Sequence, residues 1–156
     1  MKVFFSCIDG SISAPQPVQH LVIRECAQKA GGGISFYGAE EVQVLDTQPF
    51  IRLKLTRLKS SGLDGVVFYT LHQFRQGPKF NYELLLSILD LDLEVHFARE
   101  GVSIMSRNQL KQMFPFFMSV DFTSRRDKSD MWRRFVKETD ALALPAHEPH
   151  AAGVAG

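Results

Sequence analysis

Short apolar runs alternate with helical patterns along this chain, and that alternation constrains its fold more than any other feature. The runs are VFFSCI at 3–8, VVFY at 66–69 and LEVHF at 93–97. Bounded apolar runs of this kind are typical of strands buried on both faces of a parallel sheet. Between them, apolar residues recur with the spacing of amphipathic helices. The pattern therefore predicts an α/β protein.

The boundaries of the expected elements follow from turn and cap signals. Strands are expected at Lys2–Ile8, Ile34–Tyr37, Asp64–Thr70 and Leu93–Ala98, with a short extra strand at Val102–Met105. Helices are expected at 16–30, 50–58, 80–89, 106–117 and 130–144. The glycines at 31–33 end the first helix, Pro115 should disturb the end of the fourth, and Leu71–Pro78 should be a polar loop.

We predict a three-layer α/β/α sandwich, resolvase-like or flavodoxin-like, with a mostly parallel sheet of strand order 2-1-3-4. Right-handed crossovers leave few other topologies for this order of elements. A single domain should span residues 1–144, because the chain shows neither an internal repeat nor a change in composition that would mark a second domain. Residues 145–156 are rich in small residues and proline and should be a disordered tail.

Composition excludes some classes of function. The formal net charge of +1 on 156 residues gives no argument for nucleic acid or an anionic membrane. No apolar run approaches the roughly 20 residues of a membrane helix, and the N-terminus, MKVFFSCIDG, predicts a first strand instead of a signal peptide. Cys7 and Cys26 lack the spacing of a metal site or disulfide framework. We therefore expect a cytoplasmic protein.

The strand order also predicts where a ligand would bind. In open parallel sheets, ligands lie beyond the carboxyl ends of the strands, where the strand order reverses. For the order 2-1-3-4 this point lies between the first and third strands, at the loops Asp9–Pro15 and Leu71–Pro78. The polar residues that we expect to converge there are Asp9, Ser11, Ser13, Gln16, Gln19, Tyr69, His72, Gln73, Arg75, His96 and Glu100.

From this set we predict catalytic and binding roles. The catalytic candidates are His72, His96 and Glu100, and the candidates for binding substrate are Ser11, Ser13, Gln16, Gln19, Arg24, Tyr69, Gln73 and Arg75. A structural histidine within the strand is an equal alternative for His96. The serines equally fit loop residues that bond their own backbone. The sequence has no GxGxxG, P-loop, CxxC or HExxH motif, so we predict neither cofactor nor metal.

Three segments carry a family resemblance. They are PQPVQHLVIREC at 15–26, DGVVFYTLHQF at 64–74 and LEVHFARE at 93–100. At these segments the chain resembles the sporadic carbohydrate cluster proteins, a small bacterial family named for its scattered occurrence in gene clusters for surface carbohydrates. The resemblance implies a pathway context and no particular reaction. The residues that it highlights are Gln16, Gln19, Arg24, Tyr69, His96 and Glu100.

The layout also resembles the catalytic domain of serine recombinases. The corresponding pieces are VFFSCIDGSIS at 3–13, LHQFRQ at 71–76 and EGVSI at 100–104. The departures are that no Arg stands two residues before either serine, and that His72 and Gln73 replace the expected Asp and Arg. Phosphoryl transfer needs several guanidinium groups around the phosphate. The resemblance therefore supports the fold and argues against DNA strand transfer.

Two functions from different classes follow from these observations, and DNA strand transfer is kept as a remote third. The first is a cofactor-independent isomerase, lyase or hydrolase acting on an anionic or sugar-like small molecule, namely a sugar, sugar acid or nucleotide sugar. The second is a non-catalytic binding or scaffold subunit for a sugar-modifying enzyme. In the second case the aromatic segment MFPFFMSVDF at 113–122 would form a partner surface or a homodimer.

Overall fold

Seven strands and four helices are formed by residues 1–40 and 48–119, the part of the chain that the structure, a computed structural model, describes. The strands are β1 (Lys2–Asp9), β2 (Gly32–Glu40), β3 (Gly65–Phe68), β4 (Arg75–Gln76), β5 (Lys79–Phe80), β6 (Glu94–Phe97) and β7 (Val102–Ile104). The helices are α1 (Gln16–Lys29), α2 (Gln48–Lys59), α3 (Tyr82–Leu89) and α4 (Arg107–Ser119).

Five of the strands form one mostly parallel sheet. Its order is β2-β1-β3-β6-β7. The pairs β1–β2, β1–β3 and β3–β6 are parallel, and β7 adds to β6 in the antiparallel direction. The predicted order 2-1-3-4 is therefore confirmed, with the expected short strand Val102–Met105 as an added edge. The reversal of strand order lies between β1 and β3.

Helix α1 begins at the predicted residue, Gln16, and ends at Lys29, one residue before the predicted end. Pro15 and Pro17 set its first turn, where their missing N–H groups are not needed. It ends before Gly31, whose φ of +86° is accessible to glycine at little cost. Its buried residues Ile23 and Ala27 pack in one cluster with Phe4 and Ile8 of β1 and with Val67 of β3.

The opposite face of the sheet packs against other elements. Lys54 of α2 lies over the ring of Phe5, the residue that follows Phe4 and therefore points to the opposite face of β1. A cluster of aromatic rings connects β3, β5, β6 and α4, and its members are Phe68, Phe74, Phe80, Phe97 and Phe117. These contacts fit the predicted sandwich, in which both faces of the sheet are covered.

The segment after β3 is more ordered than the predicted polar loop. Leu71–Phe74 forms a 3₁₀ turn, and β4 pairs with β5 as a short antiparallel hairpin. The turn forms because Thr70 and Gln73 make a reciprocal capping box. Leu71 and Phe74 are buried in the core, 3% and 0% exposed, which the polar composition of the segment conceals.

Helix α4 also continues past the residue expected to disturb it. Pro115 lies inside the helix, which runs to Ser119. Proline removes one helical hydrogen bond and usually breaks a helix interior. Here Phe117 in the last turn is fully buried and packs against Phe80, with the rings tilted by 34° and their centroids 4.6 Å apart.

Two expectations lie outside the described residues. These are the helix at 130–144 and the disordered tail at 145–156. None of the helices in the part of the chain that the structure describes is both long and apolar enough to cross a membrane.

Candidate functional site

The loops that follow β1 and β3 lie side by side, as the strand order requires. The backbone N–H of Tyr69 donates to the carbonyl of Cys7 over 3.1 Å, and Gln73 Nε2 donates to the same carbonyl over 3.2 Å. Gln73 Oε1 accepts from the N–H of Thr70 at 3.0 Å. The fully buried Gln73 amide therefore ties the 3₁₀ turn to the end of β1.

The loop after β1 is shaped by Gln19. Its Oε1 accepts from the N–H of Asp9, and its Nε2 donates to the carbonyls of Asp9 and Ala14, each at 2.9 Å. Gln19 is fully buried, so these bonds replace the hydrogen bonds that its side chain would otherwise make to water. Asp9 Oδ1 accepts from the N–H and the hydroxyl of Ser11 at 2.9 and 2.5 Å, which forms the turn itself.

Glu100 joins the loop after β6 to the loop after β3. Its Oε2 accepts from Thr70 Oγ1 at 2.6 Å, and its Oε1 accepts from the N–H of Leu71 at 2.9 Å. Burial raises the pKa of Glu100, and these two hydrogen bonds oppose the rise. The carboxyl group thus acts as a brace between two loops at the carboxyl edge of the sheet.

The other predicted site residues at this edge have varied surroundings. His72 is half-buried in the 3₁₀ turn, and Tyr69 is 7% exposed and belongs to the core cluster around α1. Arg75 is exposed, and its Nε donates to the carbonyl of Gly77 at 3.2 Å. Ser13, Gln16 and Arg24 are exposed, with Arg24 halfway along α1.

Cys7 lies beneath these loops as a protonated thiol. Burial is the main reason that its pKa is raised well above the usual value, and the charges of Glu40 and Asp9 raise it further. Nucleophilic cysteines need the opposite, a surrounding that lowers the thiol pKa. The position therefore favours packing over covalent chemistry for Cys7.

His96 belongs to a different group of polar side chains. Its Nδ1 lies 2.7 Å from Ser103 Oγ, and its Nε2 lies 2.9 Å from Glu94 Oε1. The ring is 2% exposed and meets the ring of Phe4 edge to face at a centroid distance of 5.3 Å. His96 therefore takes Glu94 as its acidic partner, whereas Glu100 bonds to the loop after β3.

The order of residues on β6 and β7 creates this group. Glu94 and His96 are two positions apart on β6 and therefore point to the same face. Ser103 is the register partner of His96 across the hairpin. At the other end, Glu94 Oε2 forms an ion pair with Lys2 Nζ at 3.0 Å. We call Lys2, Glu94, His96 and Ser103 the polar chain.

Gly65 provides the space that the polar chain needs. It is the register partner of Glu94 on the neighbouring strand β3. A Cβ atom at position 65 would lie 2.5 Å from Glu94 Cγ, closer than such atoms approach, and 3.0 Å from Phe4 Cε1, a tight contact. The glycine thus lets the Glu94 side chain cross β3 towards Lys2 on β1.

The polar chain assigns different tasks to the two ring nitrogens. In a neutral imidazole one nitrogen donates and the other accepts. The Glu94 carboxylate, paired with Lys2, can only accept, so in a neutral ring we assign the proton to Nε2. The lone pair of Nδ1 then faces the Ser103 hydroxyl. This is the arrangement in which a histidine acts as a base towards a serine.

A cavity opens directly onto the end of the polar chain. Its volume is about 480 Å³, within the range of roughly 300–1,000 Å³ typical of small-molecule sites. The cavity lies between α1 and the β6–β7 hairpin. The lining residues are Val22, Glu25, Cys26, Lys29, Ala30, His96, Ala98, Gly101, Ser103, Met105 and Gln109.

The cavity is lined by an ion pair at its rim and by the thiol of Cys26. Lys29 Nζ pairs with Glu25 Oε1 at 3.1 Å across one turn of α1, and both side chains are well exposed. Burial raises the pKa of Cys26 to about 11. Near neutral pH the thiol is therefore protonated, which leaves Ser103 and His96 as the chemically competent pair on this lining.

Glu94 and Ser103 are the residues that the sequence analysis missed. The signal for Glu94 was present, because an E-x-H spacing within a strand puts both side chains on one face. The signal for Ser103 was weaker. It required pairing the short strand at 102–104 with β6 as a hairpin, which places Ser103 opposite His96.

No protein-family model matches this chain, and no curated protein matches it either. Within residues 1–40 and 48–119, no group of three or more His, Cys, Asp or Glu side chains has the arrangement of a metal site. Two groups of side chains are therefore the candidate functional groups of this protein, the loop braces at the carboxyl edge and the polar chain beside the cavity.

The brace formed by Glu100 predicts a pH dependence of stability. Because its folded-state pKa is raised above the unfolded value of about 4.3, the folded protein holds this proton more tightly. The contribution is complete below the unfolded pKa and is lost as pH rises through the folded pKa. We predict that the free energy of unfolding of the native protein falls across this window relative to that of Glu100→Gln.

Urea unfolding at pH values from about 4 to about 7 measures this difference. Glu83→Gln, at an exposed position of α3, is the matched control and should track the native protein across the range. A difference between the native protein and Glu100→Gln that stays constant with pH would contradict the predicted shift.

Proposed function

We propose that the protein is a small cofactor-independent enzyme that acts on a sugar, sugar acid or nucleotide sugar, with His96 as its general base. The observation that carries the proposal is the 2.7 Å contact between His96 Nδ1 and Ser103 Oγ beside a cavity of substrate size. The substrate class rests on the resemblance of segments 15–26, 64–74 and 93–100 to sporadic carbohydrate cluster proteins.

The polar chain supplies what a general base requires. His96 takes a proton through Nδ1, and the Glu94 carboxylate stabilises the positive ring that results. Lys2 holds that carboxylate in place through its ion pair. Among isomerisation, elimination and hydrolysis, hydrolysis fits best, because the hydrogen-bonded chain ends on a hydroxyl group.

The cavity lining suits a polar substrate of moderate size. Lys29, Glu25 and Gln109 provide hydrogen-bonding groups for hydroxyl or anionic substituents, while Val22 and Ala98 are apolar. In this proposal the carboxyl-edge residues hold the loops, and His72 and Glu100 are the competing catalytic candidates. Cys7 and Cys26 are both free thiols, which supports a cytoplasmic location.

The test compares the histidines directly. His96→Gln, His72→Gln and Glu100→Gln are incubated with a panel of sugars, sugar acids and nucleotide sugars, and products are followed by NMR. We predict that His96→Gln loses about 10²–10⁴-fold in rate, the usual contribution of a general base. His20→Gln on α1 is the control and should keep the native rate.

Two results would overturn the assignment. If His72→Gln or Glu100→Gln loses activity and His96→Gln keeps it, the active site lies at the carboxyl edge of the sheet. If the native protein converts none of the substrates, the carbohydrate proposal fails.

A second candidate, a binding subunit or homodimer, is favoured by one specific surface. Phe114 and Met118 lie one turn apart on α4 and are 43% and 50% exposed, and Phe114 contacts the ring of Tyr82. Exposed apolar residues at adjacent positions are typical of contact surfaces.

Light scattering on the full chain tests this candidate. If this face mediates a dimer, the native protein is a dimer and the double variant Phe114→Glu, Met118→Glu is a monomer. A native protein that stays monomeric at high concentration contradicts the homodimer.

A further inference from the structure

We propose that Ser103 is a covalent nucleophile and that the substrate is an O-acyl ester, an acylated sugar in the context of the proposed function, on which this inference rests. The reaction class is acyl transfer to water. This assigns Ser103, on a short edge strand, as the residue that bonds to the substrate.

The geometry contains the three roles that acyl transfer needs. Ser103 is exposed, borders the cavity and places Oγ 2.7 Å from the base His96. His96 in turn contacts Glu94 over 2.9 Å, which fixes the orientation of the ring. A nucleophile, a base and an acid in contact, in that order, supply the roles that serine hydrolases use on unrelated folds, although here Nδ1 faces the serine and Nε2 the carboxylate, the reverse of the usual ring orientation.

The hairpin makes this geometry rigid. Ser103 and His96 are register partners on β7 and β6, so backbone pairing fixes their separation. The ring of Phe4 packs edge to face against the ring of His96. Glu94 is held on its other side by Lys2 at 3.0 Å. The base is therefore aligned before any substrate binds, which lowers the cost of reaching the transition state.

The proposed steps balance without any redox partner. Ser103 Oγ bonds to the ester carbonyl carbon while His96 Nδ1 takes its proton. The carbon–oxygen bond to the alcohol then breaks, and His96 returns the proton to the departing sugar hydroxyl. Water, deprotonated by His96, next attacks the acyl-Ser103 carbonyl. The carboxylic acid leaves and Ser103 regains its proton, so that ester and water become alcohol and acid.

The lining around Ser103 favours a short acyl group on a polar alcohol. Ala30, Ala98 and Met105 are small or apolar and suit the acyl chain. Gln109 Oε1 accepts from the N–H of Met105, which leaves Nε2 as the donor of that amide. In this proposal Gln109 Nε2, on the same cavity lining as Ser103, is the donor available to the oxyanion. The pair of Glu25 and Lys29 forms the polar rim for the alcohol.

The experiment uses the full chain with a fluorophosphonate probe and p-nitrophenyl acetate. Mass spectrometry should find one adduct, on Ser103, and the native protein should release p-nitrophenol. Ser103→Ala removes one oxygen at an exposed position and should lose the adduct and at least about 10²-fold in ester hydrolysis. Ser61→Ala, in the exposed turn after α2, is the matched control. Thermal melting confirms that both variants fold.

The possible results separate this inference from the proposed function. No adduct, or an adduct at another residue, overturns the nucleophile; if His96→Gln still abolishes sugar conversion, the proposed function survives. An adduct on Ser103 with ester hydrolysis but no sugar conversion upholds the nucleophile and removes the carbohydrate substrate. A fully unreactive Ser103 would mean that the polar chain only stabilises the pairing of β6 with β7.

Discussion

A histidine buried in the middle of a sheet must have hydrogen-bond partners for its ring nitrogens, and this requirement organises one face of the protein. An unpaired buried polar group costs roughly 1–3 kcal/mol. His96 meets the requirement with Glu94 on its own strand and Ser103 on the next. The charge of Glu94 then requires a partner, which is Lys2 on β1. Gly65 follows as a further consequence, since only a residue without a side chain leaves Glu94 room to cross β3.

The polar side chains at the carboxyl edge of the sheet and those of the polar chain have different roles. At the carboxyl edge, Gln19, Gln73 and Glu100 bond mostly to backbone groups of neighbouring loops. Their polar atoms are engaged in holding the loop geometry. The polar chain bonds side chain to side chain and ends at an exposed hydroxyl beside a cavity. Side chains in such a relay can exchange protons without disturbing the backbone, and for this reason we propose the chemistry at the polar chain.

The sequence predicts the arrangement of strands well. Each apolar run, such as Val66–Phe68, is too short for a helix and is bounded by glycine or polar residues, so its type is unambiguous. The strand order follows from the alternation of elements and the handedness of crossovers. The capping box of Thr70 and Gln73 is also visible in the sequence, although the composition of the segment predicts a polar loop instead of the turn that the box forms.

The site was harder to predict, because a strand covered on both faces is apolar on both. Local hydrophobicity then does not tell which face His96 occupies, and the prediction grouped it with residues at the end of its strand. In the structure its neighbours on the same face are Glu94 and Ala98, and the hairpin pairing adds Ser103. That pairing depends on register, which the sequence of a three-residue edge strand specifies only weakly.

In the proposed site, Glu94 makes His96 a base directed at Ser103. Nitrogen-15 NMR of the imidazole measures this directly, since the two ring nitrogens give different shifts when protonated or bare. We expect one neutral tautomer with the proton on Nε2, and loss of that preference in Glu94→Gln. A ring protonated on Nδ1, or one whose tautomer is unchanged in Glu94→Gln, would contradict it.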